Sequence, residues 1–404
     1  RGAGHLRLND PDGRNIWPVF PTRGIARARH PRLDCGVQTE RYTGEVVFIY
    51  AFDVAYDMVR QPVKELLGQP VAQFSVDASK RSPRQLSFYR PQMVRLPPQE
   101  RIGPLGPVRV HRTVKLLPIG AISISVHVPF EAKSLTELVV FHDLQFSNGS
   151  LHDEMKRLAE QVRNELRPFY IRPVEPLAEE EAYTVFCFHS PASTVEAFRA
   201  EDWLACHRRE IASLLTQEHD VEQLSDQEVE ESTGRFLSYY RRDLAVVDWD
   251  AALVMDDARN FEETLFIMEL ANVQLAELEA YDRLLDDALE RSYRDLSQSP
   301  PQRPSKVVMQ ELKEIRVDMA RLSDELSNIS KFFGDWHLSR IYSALSTRFH
   351  LAEWHRTIDE KLKTLDDLYQ LLKTDQNNRW MLILEATVVL LFILDLVLLF
   401  VVKK

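Results

Sequence analysis

Between Trp380 and Lys403 the chain reads WMLILEATVVLLFILDLVLLFVVK, apolar apart from Thr387 and two carboxylates, Glu385 and Asp395. At 1.5 Å of rise per residue, the stretch from Met381 to Val402 is roughly 33 Å of helix, against about 30 Å of bilayer hydrocarbon. A helix in a globular core ordinarily keeps a polar face. Here only Asp395 interrupts the surface from Thr387 to Val402. The pattern predicts one transmembrane helix over 380–402 with two lysines beyond it, hence a tail-anchored, single-pass membrane protein. A carboxylate near a bilayer centre costs about 2.5–3.5 kcal/mol. Glu385 lies one turn inside Met381, within reach of Arg379, whereas Asp395 lies about 21 Å further along the helix. Ten residues of helix turn the two acids about 80° apart, so they form no common site on one helix. Each needs its own partner, and neighbouring copies supply one. Arg379, Glu385 and Asp395 are therefore expected to serve assembly.

The rest of the chain has an ordinary globular composition, 45% hydrophobic and 27% charged over 404 residues. A formal net charge of −11 opposes direct nucleic-acid binding, which draws on surplus Lys and Arg. Cys35, Cys187 and Cys206 show neither zinc-site nor disulfide-framework spacing, which predicts buried or idle thiols in a reducing compartment. Residues 1–39, rich in Arg, Pro and Gly, are expected to be a disordered leader, without the apolar run of a secretory signal.

An α+β head domain is expected over 40–256. It opens on the strand GEVVFIYAFDV (44–54), followed by a helix with Pro62 in its first turn and Gly68 closing it. Residues 91–107, dense in Pro and Gly, read as a loop. Next, Ile122, Ile124, Val126 and Val128 alternate with Ser123, Ser125 and His127, which predicts a strand with one buried and one polar face, paired with VRVHRTVKLL before it. SLTE (134–137) reads as a capping box, and Ser150 as the cap of a helix to about Arg167. A strand over 183–189, a helix over 200–216 and two or three strands within 236–256 complete the unit.

From Asp257 no strand signal remains. A helical stalk is expected over 257–379, broken into a hairpin at 297–305 by Pro300, Pro301 and Pro304. Its first arm is acidic, with Leu265, Met268, Leu275, Leu278 and Leu285 on one face. In its second arm Leu351, Ile358, Leu365 and Leu372 recur every seven residues, with Trp354 and Leu368 between them and Lys361 at the remaining position. That is coiled-coil spacing. It predicts a seam between copies, with packing inside one chain as the alternative.

Catalytic signatures are lacking: there is no nucleophile elbow, phosphate loop, dinucleotide fingerprint or HExxH. His350 and His355, five apart in HLAEWH, diverge by about 140° on a helix, so no metal site and no cofactor is expected. The acids of the first arm are read as a solvated face, and the aromatics of FLSYYRRDLAVVDWD as core rather than as base-stacking groups.

Arg379, Leu384, Glu385 and Asp395, with LAVVDWDAAL (244–253), MELANVQLAELEAYDRLLD (268–286) and RFHLAEWHRTIDEKLKTLDDLYQLL (348–372), resemble segments of the required-for-meiotic-nuclear-division protein family, over roughly 180–402. The resemblance implies a single-pass protein with its bulk in the mitochondrial matrix or a bacterial cytoplasm, large homo-oligomers, and support of translation at a membrane with the ribosome or another protein as partner. It implies no catalytic residue. The expected function is a non-enzymatic, tail-anchored scaffold. Two alternatives stand beside it. One is a cation-conducting assembly, whose layout resembles that of the magnesium channels with a Gly-Met-Asn motif, although neither that motif nor a second span is present. The other is an enzyme or ligand site in the head, which would require His127, His142, His189 and Asp248 to converge.

Overall fold

The structure is a computed structural model that describes residues 41–58, 62–74, 91–117, 119–147, 149–173, 180–190, 198–297 and 336–402, with positions 313, 316 and 317. The expected leader, the loop after residue 297 and the start of the second stalk arm lie outside the described residues.

A nine-stranded sheet organises the chain. Its strands are β1 (Tyr42–Asp53), β2 (Ala72–Gln73), β3 (Gln92–Gly103), β4 (Gly106–Leu116), β5 (Ala121–Ala132), β6 (Glu181–His189), β7 (Phe236–Leu237), β8 (Leu244–Val247) and β9 (Ala251–Asp256). Their order is β7-β8-β9-β6-β1-β5-β4-β3-β2. All neighbours run antiparallel except β6 and β9, which are parallel, so the sheet is mixed. At the centre β1 comes so close to β6 that a Cβ on Gly44 would sit 1.9 Å from the carbonyl oxygen of Cys187. Only glycine fits there.

Alternation along each strand sends residues to two covered faces. Val46, Phe48, Tyr50 and Phe52 of β1 join Phe186 and Phe188 of β6 in one core, beneath α1 (Leu151–Leu166) and α2 (Ala200–Leu215). Ser150 caps α1 as expected, its hydroxyl accepting from the Asp153 amide at 3.1 Å. Glu154 of α1 takes Arg101 and Arg112 of the sheet at 2.8 and 3.1 Å. Val47 and Ile49 face the other way, with Tyr183, Val185 and Cys187. This second face is covered by α4 (Phe261–Ser297), α5 (Trp336–Arg348) and α6 (Leu351–Val402), while α3 (Asp226–Thr233) packs beside α2 and β8.

The fold is thus α+β with helices on both faces, and several expectations need correction. The polar face of β5 is not solvated: α4 lies over it, leaving Ser123 1% and Ser125 4% exposed. Residues 91–107 form a hairpin of β3 and β4 instead of a loop, because Pro97 and Pro98 fall where the register shifts between Leu96 and Gln99. Proline is tolerated in a strand at such a bulge, where no ladder donor is needed. The helix expected before Gly68 is a two-strand turn, with Leu67 and Gly68 at φ 52° and 68°. Glycine signals a helix end and a tight turn alike. Tyr239, Tyr240 and Trp249 are 56%, 62% and 49% exposed, against the expectation of core. Of the cysteines, Cys187 is buried and free, and burial raises its thiol pKa. Cys206 is disulfide-bonded, which departs from the expectation for that residue, while the buried free Cys187 agrees with it.

The stalk is also corrected. Among the described residues there is no long coiled-coil stalk: α4, α5 and α6 fold back on the sheet as a layer. The break between α5 and α6 falls at His350, whose φ of 50° ends one helix before the next begins.

Candidate functional site: the helical layer and the far end of α6

Helix α4 is the centre of the layer and is buried almost all round from Thr264 to Leu278. Leu265, Met268, Leu275, Leu278 and Leu285 lie in the core of the layer, as their spacing predicted. Three of its buried polar residues reach a specific partner, as burial requires. Glu269 pairs with Lys115, Asn272 donates to the Glu181 carbonyl at 2.9 Å, and Gln274 accepts from the Tyr342 hydroxyl at 2.6 Å. The acids of α4 are therefore only partly the solvated face expected of them.

The heptad residues of α6 pack within their own chain. Leu351, Ile358 and Leu365 are buried against α4, with Trp354 packed at the edge and Leu368 half-buried. Seven-residue spacing identifies an apolar stripe but not its partner. The irregular Lys361 is explained by the same packing: it sits 2.6 Å from both Asp282 and Asp286 of α4. Burial alone lowers the Lys361 pKa, and its hydrogen bonds to the two aspartates more than offset this, holding it above its ordinary value. The side chains of Leu372, Arg379 and Asp395 lie outside the described residues.

Under α4 three acids share the neighbourhood of one cation, Arg283. Burial first, then a hydrogen bond to Glu279 and its charge, together push Glu181 up to about 8 against the pull of Arg283. Burial likewise raises Asp53 to about 7, opposed by Arg283 and the Ala55 amide. In the folded protein both carboxyls keep protons that the unfolded chain releases near its ordinary values of 3.8 and 4.5. Stability is then greatest at the acid end of this window. It falls while the unfolded chain is ionised and the folded one is not, and it levels off once the pH has passed 7 for Asp53 and 8 for Glu181. The expected loss is on the order of 7 kcal/mol between about pH 5 and pH 9, since each pH unit separating the folded and unfolded values is worth about 1.4 kcal/mol. Thermal melts across that range check it: Glu181→Gln should flatten the fall, and a parent profile already flat would rule the protonated pair out.

The four groups that a catalytic head would bring together stay apart. His127 pairs with Glu45 at 3.2 Å and His189 stacks on Phe261, both on the α4 side. His142 lies on the opposite side of the sheet, its Nε2 donating to the Leu214 carbonyl of α2 at 2.7 Å, and burial lowers its pKa. Asp248 faces Arg348 at 3.7 Å. No group of three or more metal-binding side chains occurs among the described residues. His350 and His355 do not form one, since His350 lies at the break and turns to Glu353 at 3.7 Å.

Beyond the layer, α6 runs on with its side chains bare. Every residue from 380 to 394 is exposed, including Met381 at 58%, Leu391 at 61% and Phe392 at 71%. Glu385 is exposed among them. Among the described residues no helix is long and apolar enough to cross a membrane. The expected transmembrane helix, tail anchor and single-pass localisation facing cytoplasm or matrix are corrected accordingly, and the conducting assembly loses the span it requires.

Comparison with known proteins identifies the head. The sequence profile described as "uncharacterized protein MJ0711, N-terminal domain" matches residues 43–262, more than half of the chain. The chain belongs to that family. A relative, uncharacterized protein MJ0711 of Methanocaldococcus jannaschii, is 25% identical over 220 residues, which are 54% of this chain and 65% of the relative. The chain thus spans under two thirds of that relative's length. No solved structure matches. The MJ0711 match overturns the resemblance to the meiotic-nuclear-division family, and translation support and a ribosome partner lose the basis they had in it. It covers the whole sheet and ends at the second residue of α4, so the rest of the helical layer lies beyond the matched region.

Proposed function

We propose that this protein is a non-enzymatic scaffold that associates with copies of itself through the far end of α6. The observation that carries the reading is the exposure of large apolar residues on every side of 380–394. An apolar surface of that extent marks an interaction site. A helix apolar all round is covered only by several neighbours, because a single groove reaches one stripe. Copies of the same helix have the same need, and a closed symmetric assembly meets it for all of them at once. The separation of His127, His142, His189 and Asp248 supports the non-enzymatic half of the reading.

Leu384→Glu with Leu391→Glu places two charges one heptad apart on one stripe. Both positions are exposed within the single chain, so the melting temperature is expected to stay within the small range of surface substitutions. The mass by sedimentation velocity is expected to drop to that of one chain. A parent that already sediments as a single chain at micromolar concentration, or a variant that keeps the parent's mass, would remove self-association.

A further inference from the structure

A cavity of about 340 Å³ lies between the sheet and the first turns of α4. Its floor is polar because adjacent strands align like residues. His111 of β4 lies opposite His127 of β5, and Thr113 lies opposite Ser125, all on the face turned to α4. Its walls are apolar, with Met93 from β3 and Phe261 and Leu265 from α4.

The acids of this cavity are already engaged. Glu262 pairs with Arg95 at 3.6 Å, Glu269 with Lys115, and Glu45 with His127 at 3.2 Å. The hydroxyls are not. Ser125 is 4% exposed, and neither it nor Thr113 or His111 makes a side-chain hydrogen bond among the described residues. Beside Lys115, the buried Ser123 hydroxyl also has no partner. His111 is exposed and Thr113 half-buried at the cavity's mouth, so the two buried serines carry the argument: buried polar groups in a finished core are satisfied, and theirs call for a ligand. The remaining capacity is two hydroxyls and the His111 ring, each able to donate or accept, with the unused N–H groups of Arg95, which only donate. With every carboxylate matched by a cation or an imidazole, the site has no surplus positive charge to hold a polyanion.

We infer that this cavity binds a small monocarboxylate with a short apolar body, its head on Ser125, Thr113 and His111 and its chain against Phe261, Leu265 and Met93. The site is independent of the assembly surface on α6. Its volume falls within the range of small-ligand pockets, and the combination of apolar walls with a few convergent polar groups is how such pockets fix orientation.

The test is calorimetric titration of the full chain with hexanoate, hexanol and inorganic phosphate. Hexanoate is expected to bind with a dissociation constant on the order of 1 mM or below. Hexanol, which keeps the body and loses the anionic head, is expected to bind at least about tenfold more weakly, as is phosphate, which lacks the body. Ser125→Ala with Thr113→Val should weaken hexanoate by about tenfold or more. The same double variant should melt no lower than the parent, since it removes hydroxyls that have no partner in the empty site. No hexanoate binding, equal affinity for hexanoate and hexanol, or unchanged hexanoate affinity in the double variant would each overturn the assignment. A double variant that melts well below the parent would overturn it as well, because its hydroxyls would then be structural.

Discussion

Ile358→Asp combined with Leu365→Asp is expected to unfold the helical layer. Both side chains are 0% exposed and pack in the core shared by α4, α5 and α6. An unpaired carboxylate in such a place costs on the order of 3–5 kcal/mol. Two of them approach or exceed the roughly 5–15 kcal/mol that holds a domain folded. The milder pair Ile358→Ala with Leu365→Ala should leave a folded protein, destabilised by about 2–5 kcal/mol at each site. Chemical denaturation measures the loss, and sedimentation of the alanine variant should return the parent's mass. A lower mass with unchanged stability would instead place these residues between chains.

The second large effect is expected at Lys115 and Glu269, whose side chains are 8% and 4% exposed. Glu269→Gln leaves an ammonium beneath α4 without its counter-ion. Breaking a buried pair from one side costs about 3–5 kcal/mol. The rings of Phe74 and Phe266, 4.5 and 5.5 Å from the Lys115 nitrogen, offset part of that through cation–π attraction. Replacing both partners, Lys115→Met with Glu269→Leu, should recover most of the loss, because no charge is then stranded. Urea unfolding of the two variants decides the matter. A Glu269→Gln cost below about 1 kcal/mol would mean that water reaches the lysine.

What could be read from the sequence follows the range of the forces involved. Ser150 as a helix cap, the alternation of Ile122 to Val128 and the apolar face of α4 are local signals, and each corresponds to an observed element. Signals with two meanings failed. Gly68 ends helices and makes turns, Pro97 and Pro98 mark loops and bulges, and the seven-residue spacing of Leu351, Ile358 and Leu365 suits a partner chain or the next helix equally well. Which meaning holds depends on residues far away in the chain. The cavity was hidden for the same reason: Ser123, Ser125 and His127 have the pattern of a solvated edge until α4, more than 130 residues later, is laid across them. The one signal that could have found it was Lys115, a charge inside an otherwise apolar strand end, whose acid Glu269 stands equally isolated in the apolar stretch of α4.

The match to the MJ0711 family stops at residue 262, while Val47, Ile49, Tyr183 and Val185 on the sheet are sealed by residues after it. The region that the family model matches is therefore smaller than the unit that folds. A fragment cut at the family boundary would keep all nine strands and expose one whole side of them. A protein that carries this sheet must provide a cover for that side, apolar beneath and reaching across β1, β5 and β6.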